Sequence, residues 1–589
     1  MVLALLAVLA LVTAAAAADE SPAARLIEYG WDVPSAEFVR DHIRQMEARP
    51  FDGVILRLPE HNHAFDPRPW SEADLETQFA ILDAITWERF TDNFLILYAA
   101  NPWGMDWADD AQWAAIEDNL RLVARAAQRG RCAGVCFDAE PYGPNPWVWE
   151  GPFDAAGFAA RAAQVRRRGS QFMAALQSAD PEFRLMTFFL LSYQLGAAAE
   201  PDPALRSSRL ASTGYALLPA FVDGMLDAAG PGVALIDGNE GAYYYTRPDQ
   251  YRQGIDEIRH RVLSLVAAEN RAAYRDHVEP GMAIYADQLL GRRHPAGGFL
   301  SHYLDPAQQL RWVEHNVYWA LRTADRYAWF YSERLDWWRD ETPVGLDEAV
   351  RAGRARAAAG GELEFELAPV LRQAESAMQA AFEARCVRRA AAVPYLYLPP
   401  PQIDGELDDP AWQAVRPLEP FLARAFTGSE QAGVPTEARV AYDGDALYVA
   451  LRCAEPEPGE LRSAGSRRDD ALWNGDTVEL FLSQGADAAP YFHLIVNPGN
   501  ARWDGDSSLE GDNAAWDAAW QSATAVGPNA WTVELAIPWS SVGGRPAAGS
   551  ARRANLCRQR VSSGEISSWS TVVQGFLEPQ RFGIWEFAE

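Results

Sequence analysis

Residues 134–143 read Gly-Val-Cys-Phe-Asp-Ala-Glu-Pro-Tyr-Gly. The first half is apolar, which predicts a buried strand, and Pro141 ends the strand because it has no amide hydrogen to donate. Side chains alternate between the two faces of a strand, so Asp138 and Glu140 are predicted to point the same way at its end. Two carboxylates beside an aromatic ring, here Trp147, suit acid–base chemistry on a sugar. A structural aspartate beside a solvated glutamate is the alternative interpretation.

The overall composition limits the classes of function. A chain of 589 residues is long enough for two or three domains. The formal net charge of -29 argues against a nucleic acid or an anionic membrane as a partner, because both attract basic surfaces. All 52 basic residues are arginine, which excludes a Schiff-base lysine and a phosphate-loop lysine.

The amino-terminal segment predicts export. Residues 1–18 form an apolar run that ends in three alanines before two acidic residues, as in a secretory signal peptide. The predicted location is therefore extracellular or periplasmic, with a membrane anchor as the alternative. No later apolar stretch is long enough to cross a bilayer, so no membrane span is expected in the mature chain.

Between residues 24 and 340, apolar strand-like runs alternate eight times with amphipathic helical runs. The predicted strands are Leu26–Trp31, Gly53–Leu58, Phe94–Ala99, the strand with Asp138 and Glu140, Leu185–Ser192, Val233–Asp237, Met282–Asp287 and Tyr327–Ser332. The predicted helices include Ser35–Ala48, with Ser35 as its N-cap, Asp110–Arg129, and one from about Asp249 to Arg275. This pattern predicts a (β/α)8 barrel that forms the catalytic domain. A doubly wound open sheet is the alternative, but the glycine-rich turn expected after its first strand is missing.

Catalytic groups of such barrels gather at the carboxyl ends of the strands. We expect Glu140 to be the general acid/base and Asp138 to orient it, with one of these two close carboxyls holding its proton near neutral pH. For the second catalytic carboxylate, Glu240 after the sixth strand is the first choice, Glu333 after the eighth is the second, and Asp287 is the third.

Aromatic, amide and charged side chains at the same strand ends predict a sugar-binding surface, because pyranose rings stack on aromatic faces while their hydroxyls bind polar groups. The predicted substrate-binding residues of the barrel are Trp31, Arg57, His61, Asn101, Trp103, Tyr142, Trp147, Asn239, Tyr243, Asp287 and Trp337. His61 and His63 resemble a metal-binding pair, but no histidine or lysine on strands four to six completes a metal site. We therefore expect neither a catalytic metal nor another catalytic cofactor.

The composition changes after the barrel. Residues 341–394 are rich in Ala, Arg and Glu and predict a helical connector, which is followed by the stiff Pro399-Pro400-Pro401 run. Residues 395–589 contain short strand-like runs and turns, which predict an antiparallel β-sandwich. In one of these runs, Val478, Leu480 and Leu482 occupy alternate positions and are predicted to face the core together.

Four segments of this last region, taken in order, carry a family resemblance. They are Ile403–Trp412, Ala438–Asp443 with Leu447–Ala450, Trp473–Leu482, and Asn555–Arg558 with Ser568–Ser570 and Phe582–Gly583. The region resembles family 9 carbohydrate-binding modules, which implies an immunoglobulin-like β-sandwich that binds sugars, often with structural calcium. Trp473 and Trp569 are expected to stack on the sugar, and Asp504, Asp506 and Asp512 are candidate calcium ligands.

The barrel looks like uncharacterised glycoside-hydrolase-like barrels of environmental bacteria. Together, the sequence patterns predict a secreted glycoside hydrolase that cleaves a poly- or oligosaccharide by carboxylate acid/base catalysis, with an appended carbohydrate-binding module. A non-catalytic glycan-binding barrel, a polysaccharide lyase that uses Tyr142, His61 and Arg57, and an esterase remain as alternatives.

Overall fold

The computed structural model describes residues 24–151, 153–293, 297–427, 431–509 and 516–589. The predicted signal peptide, residues 1–18, lies outside the described residues. The chain forms two compact units, one made of residues up to Arg293 with Leu304–Gln373, the other of His294–Tyr303 with Ala374–Glu589. The division at residues 373 and 374 falls within the segment that the composition assigns to a connector.

The described residues of the first unit contain nine strands that pair in parallel. They are β1 (Arg25–Gly30), β2 (Gly53–Leu56), β3 (Phe94–Tyr98), β4 (Gly134–Asp138), β5 (Arg184–Thr187), β6 (Ala234–Asp237), β7 (Val278–Pro280), β8 (Met282–Tyr285) and β9 (Tyr327–Ser332). The hydrogen-bonded order is β7-β6-β5-β4-β3-β2-β1-β9-β8. Only Gly281 separates β7 from β8, so these two strands are halves of one barrel strand and the sheet closes. The predicted (β/α)8 barrel is confirmed.

The interruption at Gly281 divides the hydrogen bonding of the seventh barrel strand. β7 pairs with β6, whereas β8 pairs with β9. The Gly281 amide donates to the carbonyl of Asp237 at 2.7 Å, and a Cβ at this position would lie 3.0 Å from Cγ2 of Ile236. Glycine therefore allows the close approach of the two backbones.

Helices on the outside of the barrel follow the predicted pattern in most places. Their bounds are Ala36–Met46, Glu72–Ala84, Asp110–Arg129, Ala155–Leu176, Leu195–Ala198, Pro203–Ala211, Leu218–Ala228, Pro248–Arg259, Arg271–His277, Ala286–Leu289, Pro306–Thr323 and Leu346–Ala358. The predicted cap is confirmed, because the Ser35 hydroxyl accepts a hydrogen bond from the Phe38 amide at 3.2 Å. The single helix predicted from Asp249 to Arg275 is wrong, because 3₁₀ turns after His260 divide it.

The second unit is a β-sandwich. Its strands are β10 (Ala390–Pro394), β11 (Leu422–Ala423), β12 (Thr436–Tyr442), β13 (Ala446–Ala454), β14 (Thr477–Ser483), β15 (Tyr491–Val496), β16 (Arg502–Asp506), β17 (Gln521–Val526), β18 (Ala530–Pro538), β19 (Ala551–Arg560), β20 (Glu565–Ser568) and β21 (Gly583–Ala588). One sheet has the order β12-β13-β18-β17, and the other runs β10-β21-β19-β14-β15-β16 with β20 and β11 beside β19. The two helices are Ala368–Arg385, which begins in the first unit, and Pro410–Gln413.

The sandwich core lies between the two sheets. Val440 and Val449 of one sheet and Val478, Leu480 and Leu482 of the other belong to one buried cluster. The predicted alternation along β14 is therefore confirmed. The ladders are antiparallel except that β10, which comes from the segment expected to be a connector, pairs in parallel with β21. Among the described residues, no helix combines the length and apolar character needed to cross a membrane.

Candidate functional site

A cavity of about 400 Å³ lies at the carboxyl ends of the barrel strands. Its lining contains three carboxylates, one guanidinium and a large set of aromatic rings. The lining residues are Tyr29, Trp31, Glu140, Tyr142, Phe188, Tyr193, Glu240, Tyr243, Tyr244, Tyr285, Arg293, Tyr331 and Glu333. The cavity therefore brings together Glu140, Glu240 and Glu333, three of the five carboxylates for which the sequence predicts a catalytic role.

Asp138 and Glu140 occupy different positions at the end of β4. The strand ends at Asp138, so the strand alternation that predicted a common direction does not extend to Glu140, and that premise is wrong. The Asp138 carboxylate instead accepts a hydrogen bond from the Glu140 amide at 2.9 Å, which fixes the turn. Burial, and next the negative charges of Glu140 and Glu240, raise the pKa of Asp138 well above its usual range. Tyr142 donates a hydrogen bond to Oε2 of Glu140.

Glu240 enters the cavity from a short 3₁₀ turn, Glu240–Tyr244, that follows β6. Asn239 starts the turn in a left-handed conformation with φ of 47°, which asparagine tolerates better than most residues. The Glu240 amide donates to the carbonyl of Phe188 at 3.1 Å. The turn lies alongside β8, and the rings of Tyr243 and Tyr285 have centroids 4.8 Å apart. The turn after β6 thus places Glu240 in the cavity at the carboxyl end of that strand.

The carboxyl group of Glu240 is largely protonated at mildly acidic pH. Burial, and then the nearby negative charge of Glu140, raise the pKa of Glu240 to about 7, while the positive charge of Arg293 opposes this shift. Oε2 of Glu240 is buried and has no hydrogen-bond partner among the described residues. A carboxyl group with this pKa can donate a proton near neutral pH.

Glu333 follows β9, and a hydrogen bond from its backbone amide fixes its position. Its amide donates to Oδ2 of Asp287 at 2.7 Å, and the Tyr331 hydroxyl lies 3.4 Å from its Oε1. Asp287 is itself buried and is not among the residues that line the cavity. Asp287 therefore supports the backbone of Glu333. The predictions that Asp287 contacts substrate or serves as the second catalytic carboxylate are not consistent with this position.

Arg293 supplies the positive charge of the cavity lining. Its Nη1 donates to the Tyr244 hydroxyl at 3.1 Å, and its guanidinium lies 5.0 Å from the ring centroid of Tyr285. No sequence pattern indicated Arg293, because it lies beyond a short helix after β8 in a stretch without strand or motif signals. Tyr29 of β1 also lines the cavity and was not among the predicted site residues, because its apolar strand shows buried residues at successive positions.

Only part of the predicted sugar-binding set reaches the cavity. Trp31, Tyr142 and Tyr243 line it. Trp147 and Trp337 are fully buried, so the prediction that they stack on a sugar is wrong. The Trp147 indole donates to the carbonyl of Ala139 at 2.7 Å, and Trp337 packs edge-on against Phe51.

The remaining predicted residues are not among those that line the cavity, and most of them have local roles. The Asn101 amide donates to the carbonyl of Phe65 at 2.6 Å, and the buried Asn239 donates to the Tyr245 hydroxyl at 3.3 Å. His61 packs edge-on against Trp70, and Trp103 lies under the Arg68 guanidinium at 3.3 Å. Arg57 is exposed after β2.

The outer face of the eight-stranded sheet of the sandwich carries a second candidate site. Trp473 is 49% exposed, and its ring lies 6.0 Å from that of Trp503. Beside them, Nε2 of His493 lies 2.8 Å from Oε2 of Glu479. Trp569, in contrast, is 2% exposed in the sandwich core, so the prediction that it stacks on a sugar is wrong. The ring packs so closely on Gly583 that a Cβ there would lie 2.4 Å from it.

Of the three predicted calcium ligands, the structure describes Asp504 and Asp506, and both accept hydrogen bonds from protein groups. Oδ2 of Asp504 accepts a hydrogen bond from the Ala518 amide at 2.7 Å, and its Oδ1 pairs with the Arg468 guanidinium at 2.5 Å. Asp506 accepts from the Gln484 amide group at 2.6 Å. Asp512 lies outside the described residues. In the described part of the chain, no group of three or more His, Cys, Asp or Glu side chains is arranged to hold a metal ion. Because the Arg468 guanidinium pairs with Asp504, the described pair alone does not fit calcium, and a calcium site that includes Asp512 stays a prediction.

Comparisons with known proteins find a family match in the carboxyl-terminal part of the chain. Residues 403–584 match the family described as "Carbohydrate family 9 binding domain-like". A family 9 carbohydrate-binding module from Caldicellulosiruptor kristjanssonii, solved with cellotriose, is 21% identical with a TM-score of 0.26, over 34% of this chain and 94% of that one. A search of curated proteins finds no match.

Two further solved structures overlap the barrel. A β-1,4-D-mannanase from Cryptopygus antarcticus is 10% identical with a TM-score of 0.30, over 58% of this chain and 93% of that one. The glycoside hydrolase family 30 subfamily 8 xylanase Xyn30A from Clostridium acetobutylicum is 9% identical with a TM-score of 0.26, over 88% of this chain and 98% of that one.

Proposed function

We propose that this protein is an exported glycoside hydrolase whose barrel cleaves a glycan and whose carboxyl-terminal sandwich binds carbohydrate. The observation that carries the proposal is the cavity at the strand ends, where Glu140 and Glu240 meet among aromatic rings and one carboxyl has a pKa of about 7. A protonated and an ionised carboxyl group that face the same bond are the elements of glycosidic hydrolysis.

In the proposed reaction, Glu240 is the general acid. It gives its proton to the glycosidic oxygen while the bond from that oxygen to the anomeric carbon breaks. The ionised Glu140, held by Tyr142, stabilises the positive charge that develops at the anomeric carbon. A water molecule then forms a bond from its oxygen to the anomeric carbon and gives one proton to Glu240, which restores the acid. This assignment gives the acid role to Glu240, whereas the sequence pattern gives it to Glu140, and the raised pKa of Glu240 supports the change.

Asp138 acts as a positioning residue in this scheme. It is buried beneath the cavity and accepts the hydrogen bond of the Glu140 amide, so it sets where the Glu140 side chain leaves the backbone. The tyrosines of the lining provide ring faces for stacking and hydroxyl groups for the sugar. A lyase reaction through Tyr142, His61 and Arg57 is disfavoured, because only Tyr142 lines the cavity.

Analysis of the products formed from a glycan panel tests the proposed activity. The panel contains cellulose, mannan, xylan, chitin and their oligosaccharides, and the Glu240→Gln variant is purified in parallel to detect a contaminating hydrolase. New reducing ends with the wild-type protein alone support the proposal. Unsaturated ends would identify a lyase instead, and binding without any product would identify a non-catalytic glycan-binding protein.

For the sandwich, we expect Trp473→Ala to weaken glycan binding roughly fivefold, because one stacked ring contributes about 1 kcal/mol beyond its buried area. The half-exposed ring of Trp473 and its position in the family-matched region support this expectation. The measurement is a titration of the full chain, carrying Glu240→Gln, with cellotriose and the other soluble oligosaccharides.

Tyr397→Ala is the matched control, because Tyr397 is an exposed aromatic residue of the same unit outside this site. Equal affinities of Trp473→Ala and Tyr397→Ala for every sugar that binds would remove Trp473 from the binding site.

A further inference from the structure

A second cavity, of about 410 Å³, lies among the loops at the same end of the barrel as the proposed catalytic cavity. Its lining combines an aromatic ring with carboxylates, an amide and a guanidinium. The residues that matter here are Asp106 after β3, Asn145, Val148, Trp149 and Glu150 after β4, and Arg161 on the helix Ala155–Leu176.

One loop connects the two cavities. At its start, Tyr142 lines the catalytic cavity and donates a hydrogen bond to Glu140, and at its end Val148, Trp149 and Glu150 line the second cavity. The two lining segments are therefore separated by only a few residues of one loop.

The middle of this loop is fixed to the barrel. The buried Trp147 donates to the carbonyl of Ala139 at 2.7 Å, and its own carbonyl accepts from the Leu217 amide at 2.9 Å. The Trp107 indole donates to the carbonyl of Pro146 at 2.9 Å. Pro146, Trp107 and Leu217 line the second cavity themselves, so these bonds attach its lining to the barrel a few residues after Tyr142, which lines the catalytic cavity.

The chemistry of the second lining suits a saccharide. Trp149 has its ring oriented by an edge-on contact with Phe158 at 5.6 Å, and the neighbouring Val148 is 37% exposed. Asp106 and Arg161 lie 3.7 Å apart at the surface and present an acceptor and a donor for hydroxyl groups. An apolar peptide or a lipid would cover these charged groups without hydrogen bonding to them, whereas a sugar offers both a C–H face and hydroxyls.

We propose that the second cavity is a remote subsite, which binds sugar units of the glycan chain that extend beyond the catalytic cavity. This inference rests on the proposed function for the identity of the ligand. It implies that the enzyme prefers long chains, because binding energy from remote units is available only when the substrate reaches both cavities.

The test compares oligosaccharides of increasing length, from disaccharide to octasaccharide, in the cellulose, mannan, xylan and chitin series. Binding is measured on full chains that carry Glu240→Gln to prevent turnover and Trp473→Ala to weaken the sandwich site. Into this background we introduce Trp149→Ala, which removes the ring, or Val148→Arg, whose long side chain fills the cavity from an exposed position. Phe153→Ala is the control, because Phe153 is an exposed aromatic residue close in sequence that is not part of the cavity lining.

We expect Trp149→Ala and Val148→Arg to lower the affinity for the longest oligosaccharides roughly fivefold and to leave short ones unchanged. Equal effects at all lengths, or no effect, would overturn the remote subsite while leaving the hydrolase proposal intact. A length-dependent loss of binding in a protein that cleaves nothing would support the subsite and reject the hydrolase. Absence of binding to every oligosaccharide would overturn both.

Discussion

Replacing Glu240 with glutamine should lower kcat on the cleaved glycan by about 10²–10⁴-fold, because glutamine has the shape of the acid but no proton to donate. The wild-type rate should fall as the pH rises through about 7, where Glu240 loses its proton. This alkaline limb should be absent from the residual activity of Glu240→Gln. The measurement is the release of reducing ends as a function of pH.

Glu60→Gln is the matched control, because Glu60 is an exposed glutamate after β2 on the same end of the barrel. Glu140→Gln adds a second check. Since the negative charge of Glu140 helps to raise the pKa of Glu240, its removal should shift the ionisation of Glu240 to lower pH. Wild-type turnover in Glu240→Gln, combined with loss of activity in Glu333→Gln, would transfer the acid role to Glu333.

The second large effect concerns stability and involves two acids that take no part in the proposed reaction. Asp32 accepts a hydrogen bond from the Trp337 amide at 3.0 Å, and burial, opposed by that bond and assisted by the charge of Asp336, raises its pKa to about 7. Glu28 beside it is fully buried, and burial followed by the charge of Asp32 raises its pKa well above the usual range. The folded state therefore holds protons here that the unfolded chain releases above about pH 4.

The direction of the pH effect follows from this difference in bound protons. Between about pH 4 and pH 7, the folded state binds more protons than the unfolded state, so the free energy of unfolding falls as the pH rises. We expect Asp32→Asn to remove the contribution of Asp32, because asparagine is neutral and still offers an oxygen to the Trp337 amide. The gain in the free energy of unfolding at about pH 8 is on the order of 4 kcal/mol, as an upper value, from the shift of the Asp32 pKa.

Calorimetric unfolding of the full chain at about pH 4 and pH 8 measures this effect. Asp32→Asn should raise Tm at the higher pH and change it little at the lower pH. Asp276→Asn, at an exposed position on the helix Arg271–His277, is the control and should not change the pH dependence. An equal destabilisation by Asp32→Asn at both pH values would show that the aspartate is required in its ionised form.

The elements that the sequence predicts well are those whose own residues determine them. The bounds of Asp110–Arg129 and Tyr327–Ser332 agree with the structure, because an amphipathic period and an apolar run respectively define them. β7 was not predicted, since Val278-Glu279-Pro280 is short and contains a proline. Its status as a strand depends on pairing with β6, which no local pattern reveals.

The candidate site, too, could be predicted only where local sequence determines the position of a residue. Acidic residues just after predicted strands identified Glu140, Glu240 and Glu333, because strand order in a barrel brings strand ends together. The sequence could not distinguish the tryptophans that line the cavity from those that are buried, since a Trp after a strand can pack under a loop as readily as it can face a ligand. Trp31 lies in the cavity while Trp147 is buried beneath a loop, and that difference depends on distant partners such as Phe65.

The division of the seventh barrel strand at Gly281 has a mechanical consequence for the site. In the part of the chain that the structure describes, β8 pairs with a strand on one side only, and it also contacts the turn that carries Glu240 and Tyr243. The turn that carries Glu240 can therefore shift without breaking the hydrogen bonds of a strand ladder. This makes the barrel wall more flexible next to the proposed acid. Backbone amides of Met282–Tyr285 should consequently exchange with deuterium faster than those of Tyr327–Ser332, and a bound sugar that presses on the turn should slow them.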